Sequence, residues 1–349
     1  MYIKRMLDDW SKGEVDTVFT NINMKSTEFR NTFFENLKQL DITLQKKLAT
    51  HCDNAPYTTY LSQKTLWEIG NNTLRRTSTP LLHCCELGDI NMVEWCCSYG
   101  ADVNYCSNVG ESPLYLACAR GCIDIVTMLL DKKADINKCT VDGESPLYIA
   151  CAELHTEIVN KLIDNKADIN KFTESGASAL YEACRSGCTD IVTKLVDNKA
   201  DINKCTYDGK SPLFIACDGG FTKIVTNLLE NNAEINKCSE WGETPLCAAC
   251  NGQYTDIVSM LIEKGADINK CTKLGESPLH IACKHGYEEI VSILIIKGAN
   301  LTNCDSIGQT PLDAAKRCGH NHIVKLMTQS YFVQTDYFDH FDIDATPML

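Results

Sequence analysis

A glycine that returns every 33 residues constrains this chain more than any other feature. Gly110, Gly143, Gly176, Gly209, Gly242, Gly275 and Gly308 keep that spacing without an insertion or deletion. In register with each stand a Ser/Thr-Pro-Leu triplet, an Ala-Cys or Ala-Ala pair, an Ile-Val pair and an Ala-Asp-Ile-Asn segment. Gly143-Glu144-Ser145-Pro146-Leu147, running on to Ala167-Asp168-Ile169-Asn170, is one example. Thr79-Pro80-Leu81 opens a degenerate first copy, which makes eight copies between Thr77 and about Met327. Self-similarity at a fixed period marks stacked units that bury a core only against their neighbours, so 349 residues need not be divided into ordinary globular domains.

Each copy spells out two helices. Ser112, Ser145, Ser211, Thr244, Ser277 and Thr310 precede a proline, which fits a helix N-cap followed by a residue whose missing N–H costs nothing there. Ser178 is followed by Ala179, so the fourth copy lacks the proline. Gly88, Gly121, Gly187, Gly220, Gly286 and Gly319 fall where the first helix must end in a left-handed turn. Leu154 replaces this glycine in the third copy and Gln253 in the sixth, so a strained or loosened turn is expected at both. Second helices carry Ile125-Val126 with Leu129-Leu130, and equivalents through Ile290-Val291 with Leu294-Ile295, a stripe at helical spacing.

A 33-residue period with these motifs resembles the ankyrin repeat over roughly 250 of the 349 residues. The resemblance implies an all-α solenoid of antiparallel helix pairs with β-hairpin turns, a role in protein recognition, and no catalytic residues. In that family a histidine after Thr-Pro-Leu bonds the cap hydroxyl and links adjacent turns. It survives here only as His280, with Tyr115, Tyr148, Tyr181, Phe214, Cys247 and Asp313 in its place. Loss of most of that hydrogen-bond ladder is therefore expected.

Residues 1–76 read as a small helical region, 77–329 as the array and 330–349 as an acidic aromatic tail. Helices are expected at Tyr2–Trp10, Val15–Phe19, Ser26–Leu40 and Asp41–His51, the third capped by Ser26 and the fourth by Asp41. Leu66 and Trp67 are candidates to cover the open face of the first repeat. Tyr2 to Trp10, Phe29-Arg30 and Leu37 to Leu40 look like the helical arm that joins a P-loop NTPase module to ankyrin repeats in molluscan receptor-like proteins. That resemblance implies an NTPase partner in cis or trans, with this chain as the sensing or regulatory arm. No Gly-rich Lys-Ser/Thr phosphate loop is present, so no nucleotide site is assigned. Tyr331 to Leu349 holds four aspartates and five aromatics without Lys or Arg, as either a disordered tail or a short docking motif would.

Composition narrows the function classes. Residues 1–76 hold 11 Lys and Arg against 9 Asp and Glu, which leaves 22 against 37 for the remainder. An acidic array repels phosphate backbones and favours a basic protein or peptide partner over nucleic acid. No apolar run of 18 residues appears and the N-terminus turns acidic at Asp8-Asp9, so a soluble cytoplasmic chain is expected, without membrane contact. Of the 21 cysteines, Cys118, Cys151, Cys184, Cys217, Cys250 and Cys283 follow one register and Cys106, Cys139, Cys205, Cys238, Cys271 and Cys304 another. Stacked repeats place equivalent residues roughly 10 Å apart. A disulfide tolerates a Cα separation of only about 7 Å, so reduced packing thiols are expected. Neither His83 with Cys84 and Cys85, nor Cys283 with His285, has zinc-ligand spacing, and no nucleophile–base pair emerges. No enzyme activity, metal or cofactor is assigned.

The resemblance implies partner contacts on the turn tips beside each repeat glycine and on the concave face formed by the first helices. Tyr207, Trp241, Leu274 and Ile307 place large apolar side chains on four successive tips, interleaved with Asp208, Glu243 and Glu276. Exposed aromatics among carboxylates have the makeup of an interface hot spot, unless each instead packs on the neighbouring turn. Arg120 and Arg185, with Glu153 and Asp218, stand at first-helix ends and are expected to line the same groove.

Overall fold

The computed structural model describes residues 26–50 and 79–339, with side chains as far as residue 330. The expected helices at Tyr2–Trp10 and Val15–Phe19, and the covering role of Leu66 and Trp67, lie outside the described residues. Two helices precede the array: α1 (Thr27–Lys38), capped by Ser26, and α2 (Ile42–Ala49), capped by Asp41. Phe33, Leu37, Leu48 and Ala49 are buried. Eight helix pairs follow: α3 (Pro80–Leu87) and α4 (Ile90–Ser98), α5 (Pro113–Arg120) and α6 (Ile123–Asp131), α7 (Pro146–Ala152) and α8 (Thr156–Asp164), then α9 (Ala179–Arg185) and α10 (Thr189–Asp197). The rest are α11 (Pro212–Asp218) and α12 (Thr222–Glu230), α13 (Pro245–Asn251) and α14 (Thr255–Glu263), α15 (Pro278–His285) and α16 (Glu288–Ile296), α17 (Pro311–Cys318) and α18 (Asn321–Asp339). Among the described residues no β-strand forms. The expected β-hairpins are tight turns, each closed by one pair of arms, as where the Thr206 N–H donates to Lys210 O at 3.1 Å.

The chain divides into two compact units, Met1–Glu174 and Ser175–Leu349. Within each, apolar burial follows the repeat. Ile125, Val126 and Leu129 are buried in α6, and Ile290, Val291 and Leu294 in α16, whereas Leu130 and Ile295 at the stripe's edge are only half-buried. The thiols of Cys118, Cys151, Cys184, Cys217, Cys250 and Cys283 are fully buried, and every described cysteine is free. Those of Cys106, Cys139, Cys205, Cys238, Cys271 and Cys304 instead donate to the backbone carbonyl two residues earlier.

Helix caps form as the sequence predicts: Ser112, Ser145, Ser178, Ser211, Thr244, Ser277 and Thr310 each accept the N–H three residues on. The strain expected in the third and sixth repeats is present, since Leu154 and Gln253 both sit at φ 62°. Elsewhere the left-handed turn carries a second constraint. In unit 2 a Cβ at Gly187 would meet the ring of Phe221 at 2.5 Å, and one at Gly220 the ring of Tyr254 at 2.3 Å. The turn of one repeat is thus the floor on which the next repeat's ring rests.

The histidine ladder is only partly lost. His280 performs the expected bridge: its Nδ1 lies 2.8 Å from Ser277 Oγ and its Nε2 3.0 Å from Gln309 O. Contrary to expectation, Tyr115 replaces it with a polar bond, its hydroxyl donating to Glu144 Oε2 at 2.5 Å. Asp313 closes a capping box with Thr310. A second ladder runs through the asparagines of the Ala-Asp-Ile-Asn segments within each unit. The Asp135 N–H donates to Asn104 Oδ1 at 2.7 Å and the Asp168 N–H to Asn137 Oδ1 at 2.8 Å. In unit 2, Asn203, Asn236 and Asn269 accept in the same way from the N–H of Glu234, Asp267 and Asn300.

At the N-terminal side the first repeat is covered by α1 and α2. Arg30 Nε donates to Asp89 Oδ2 at 2.9 Å, and Trp95 Nε1 to Gln45 Oε1 at 2.9 Å. At the other end α18 continues past Gln329 to Asp339, so the first part of the tail is helical rather than irregular. Met327 is buried and Thr328 exposed, as a polar terminal cap requires.

Candidate protein-interaction surface

The tips of unit 2 are fixed by their own backbone. Each turn is closed locally, by the Ser239 N–H to Glu243 O at 2.9 Å and the Thr272 N–H to Glu276 O at 3.0 Å in two of the cases. Successive tips are then tied to one another. The Glu240 N–H donates to Asp208 O at 2.7 Å, that of Lys273 to Trp241 O at 2.8 Å and that of Ser306 to Leu274 O at 2.8 Å. Gly209, Gly242 and Gly275 permit this approach, since a Cβ on any of them would lie under 3.0 Å from the next tip's backbone.

On this frame the side chains of Tyr207, Trp241, Leu274 and Ile307 are 71%, 62%, 63% and 68% exposed. The alternative, in which each packs on its neighbour's turn, does not hold. Their backbones are committed to the ladder and their side chains are left in solvent, where large apolar groups in a row are uncommon. Carboxylates flank them. Asp208 accepts from the Thr206 hydroxyl and lies 3.3 Å from Lys210 Nζ. Partial burial raises its pKa, but these two partners outweigh that and hold the carboxyl below the ordinary Asp range. Glu243 Oε2 accepts from Ser239 Oγ at 3.4 Å, and Glu276 Oε1 from Lys284 Nζ at 3.0 Å.

Arg120 and Arg185 stand at the C-terminal ends of first helices. Arg185 ends α9, a helix whose seven residues span about 10 Å from the tip side, and its Nε donates to both oxygens of Glu182 at 3.1 and 3.0 Å. Arg185 Nη2 bonds Glu182 as well. Asp218 stands exposed at the equivalent end of α11. Arg120 and Glu153, exposed at the ends of α5 and α7, belong to unit 1. Glu182 itself was not singled out from the sequence. It is buried where other repeats place Leu116, Ile149, Ile215 and Ile281, and that break in register was its available signal. Together with Asp208 it adds to the effect of burial on the neighbouring Tyr181, whose hydroxyl is pushed up to about 12.

A family model of ankyrin repeats matches residues 49–140, 133–206, 198–271 and 256–337. The chain belongs to the ankyrin-repeat family. The crystal structure of the human ASB11 ankyrin repeat domain is similar to it at 30% identity and a TM-score of 0.57, covering 62% of this chain and 98% of that one. A comparison with the curated proteins found no match. Ankyrin repeats make a protein–protein interaction module, and the family is generally a non-catalytic binding scaffold. Among the described residues no group of His, Cys, Asp and Glu is arranged to hold a metal ion. No described helix is long and apolar enough to cross a membrane.

Proposed function

We propose that this ankyrin-repeat chain is a non-catalytic adaptor that recognises a protein or peptide through the unit 2 tips, with Tyr207, Trp241, Leu274 and Ile307 as anchors and Asp208, Glu243 and Glu276 as flanking carboxylates. The observation that carries the reading is a set of four exposed apolar side chains on tips whose backbones are hydrogen-bonded from one repeat to the next. Binding there loses little backbone entropy, because the frame is ordered before the partner arrives. The acidic surroundings favour a basic partner. Free thiols throughout the described residues suit a reducing, cytoplasmic setting.

A test is capture from source cells with the full chain and with its Tyr207→Ala/Trp241→Ala variant. Loss of a specific protein with the variant, at unchanged melting temperature, supports the reading; an identical catch from both chains refutes it. The alternative role is the sensing arm of an NTPase-type receptor. In its favour, α1 and α2 are docked on the first repeat through Arg30–Asp89 and Gln45–Trp95, as a connector between the array and a preceding module would be.

A further inference from the structure

Building on that recognition reading, we infer that the occupant of the unit 2 tip row is a basic amphipathic α-helix whose apolar residues recur at every seventh position. The row has a fixed pitch. Packing of the helices behind the tips sets it at ~10 Å per repeat. One apolar side chain stands just before the repeat glycine at three successive steps, Trp241, Leu274 and Ile307, and Tyr207 lies one residue earlier than that register on the tip before them.

Few regular backbones can meet such a row with one side chain per step. An α-helix rises ~10.5 Å in seven residues and returns to within ~20° of the same face. An extended strand covers the step in three residues, an odd count that turns successive side chains to opposite faces. A polyproline helix also returns after three residues, at ~9.3 Å. It leaves only two positions between anchors, however, and it docks into grooves lined by aromatics. Half of this row is aliphatic, Leu274 and Ile307, which suits the apolar stripe of an α-helix.

Charge fixes the flanks. Asp208, Glu240, Glu243, Glu276 and Asp305 stand on the tips, against Lys210 and Lys273, with Lys210 already bonded to Asp208 and Lys284 to Glu276. A helix with its side chains is ~10–12 Å wide. Lys and Arg on either side of its apolar stripe meet these carboxylates, whereas an acidic helix of the same period is repelled.

The test uses the full chain and labelled synthetic peptides read by fluorescence anisotropy. One peptide carries Leu at every seventh position with Lys and Arg beside it. The others are a scramble of equal composition, an acidic counterpart with Glu for each Lys and Arg, and a proline-spaced peptide with its anchors three residues apart. The heptad peptide is expected to bind about tenfold or more tighter than the others, to weaken as salt is raised, and to lose binding to a Trp241→Ala/Leu274→Ala variant that melts like the wild type. A scramble that binds within about threefold of it, or a proline-spaced peptide that binds tighter, overturns the inference. If capture of a cellular partner depends on Tyr207 and Trp241 while the heptad peptide does not bind, the helical period is wrong and the recognition reading stands. If neither depends on the row, both fail.

Discussion

Gly220 and Gly265 both sit at positive φ, +72° and +92°, in unit 2, yet their surroundings differ. A methyl group at Gly265 has nothing within 4 Å, while one at Gly220 lies 2.3, 2.6 and 2.7 Å from Tyr254 Cε1, Cζ and Cδ1. Alanine at Gly265 thus costs only the left-handed conformation, about 1–2 kcal/mol, less the roughly 0.4–1 kcal/mol recovered from a stiffer unfolded chain. At Gly220 the same cost applies, and the Tyr254 ring must also move by an ångström or so out of contact. Overpacking of that kind adds about 1–3 kcal/mol. Urea unfolding of the two variants, followed by circular dichroism, is expected to separate them by that margin. In a double-mutant cycle, Tyr254→Ala should relieve most of the excess at Gly220, giving a coupling of about 1 kcal/mol or more. Losses equal within about 0.5 kcal/mol, or zero coupling, would refute the idea that each ring is seated on the preceding repeat's turn.

Relieving strain should act in the opposite direction. Gln253→Gly removes a non-glycine residue from φ 62° at an exposed site and should stabilise the chain by about 0.5–1 kcal/mol in the same assay; a loss would show that Gln253 makes contacts that matter. Tyr115→Phe deletes the bond to Glu144, and because the acceptor is charged about 1–2 kcal/mol should be lost, whereas an unchanged midpoint would mean that water replaces the bond at no cost. Burial raises the thiols of Cys84, Cys85, Cys118, Cys184, Cys217 and Cys250, and pushes Cys283 up to about 12. Their folded-state values lie above the unfolded one, so their contribution is complete below the ordinary thiol range and is lost as pH rises through the folded values. Each loses about 1.4 kcal/mol per pH unit in that window, so the chain should unfold cooperatively between about pH 9 and 11; a flat pH–stability curve there would contradict the burial.

The array was readable from the sequence because one 33-residue pattern is enforced by stacking: a proline fits only the first turn after Ser211, and a glycine only the left-handed end at Gly220. Exposure of Tyr207, Trp241, Leu274 and Ile307 was half legible. Register put them on the tips, but whether a tip side chain packs on its neighbour depends on turn-to-turn geometry that periodicity does not contain. The asparagine ladder and the rings over Gly187 and Gly220 stayed hidden for the same reason, since each joins residues from different repeats. The pairing of Arg185 stayed hidden because its partner Glu182, three residues earlier on α9, breaks the apolar register in a way that reads as a surface residue yet is buried. Tyr115 read as a lost ladder position, and only the proximity of Glu144 makes it a polar one.

The claim that the unit 2 tips are a recognition surface is tested most directly by the affinity of a captured cellular partner for the wild-type chain and for the Tyr207→Ala/Trp241→Ala variant, measured beside their melting temperatures. Two buried anchors at such an interface are worth about 2 kcal/mol or more together, so affinity should fall about 30-fold or more with melting unchanged. An affinity that stays within about threefold of wild type would place the partner elsewhere on the array. A variant that melts many degrees lower would show instead that Tyr207 and Trp241 hold the fold together.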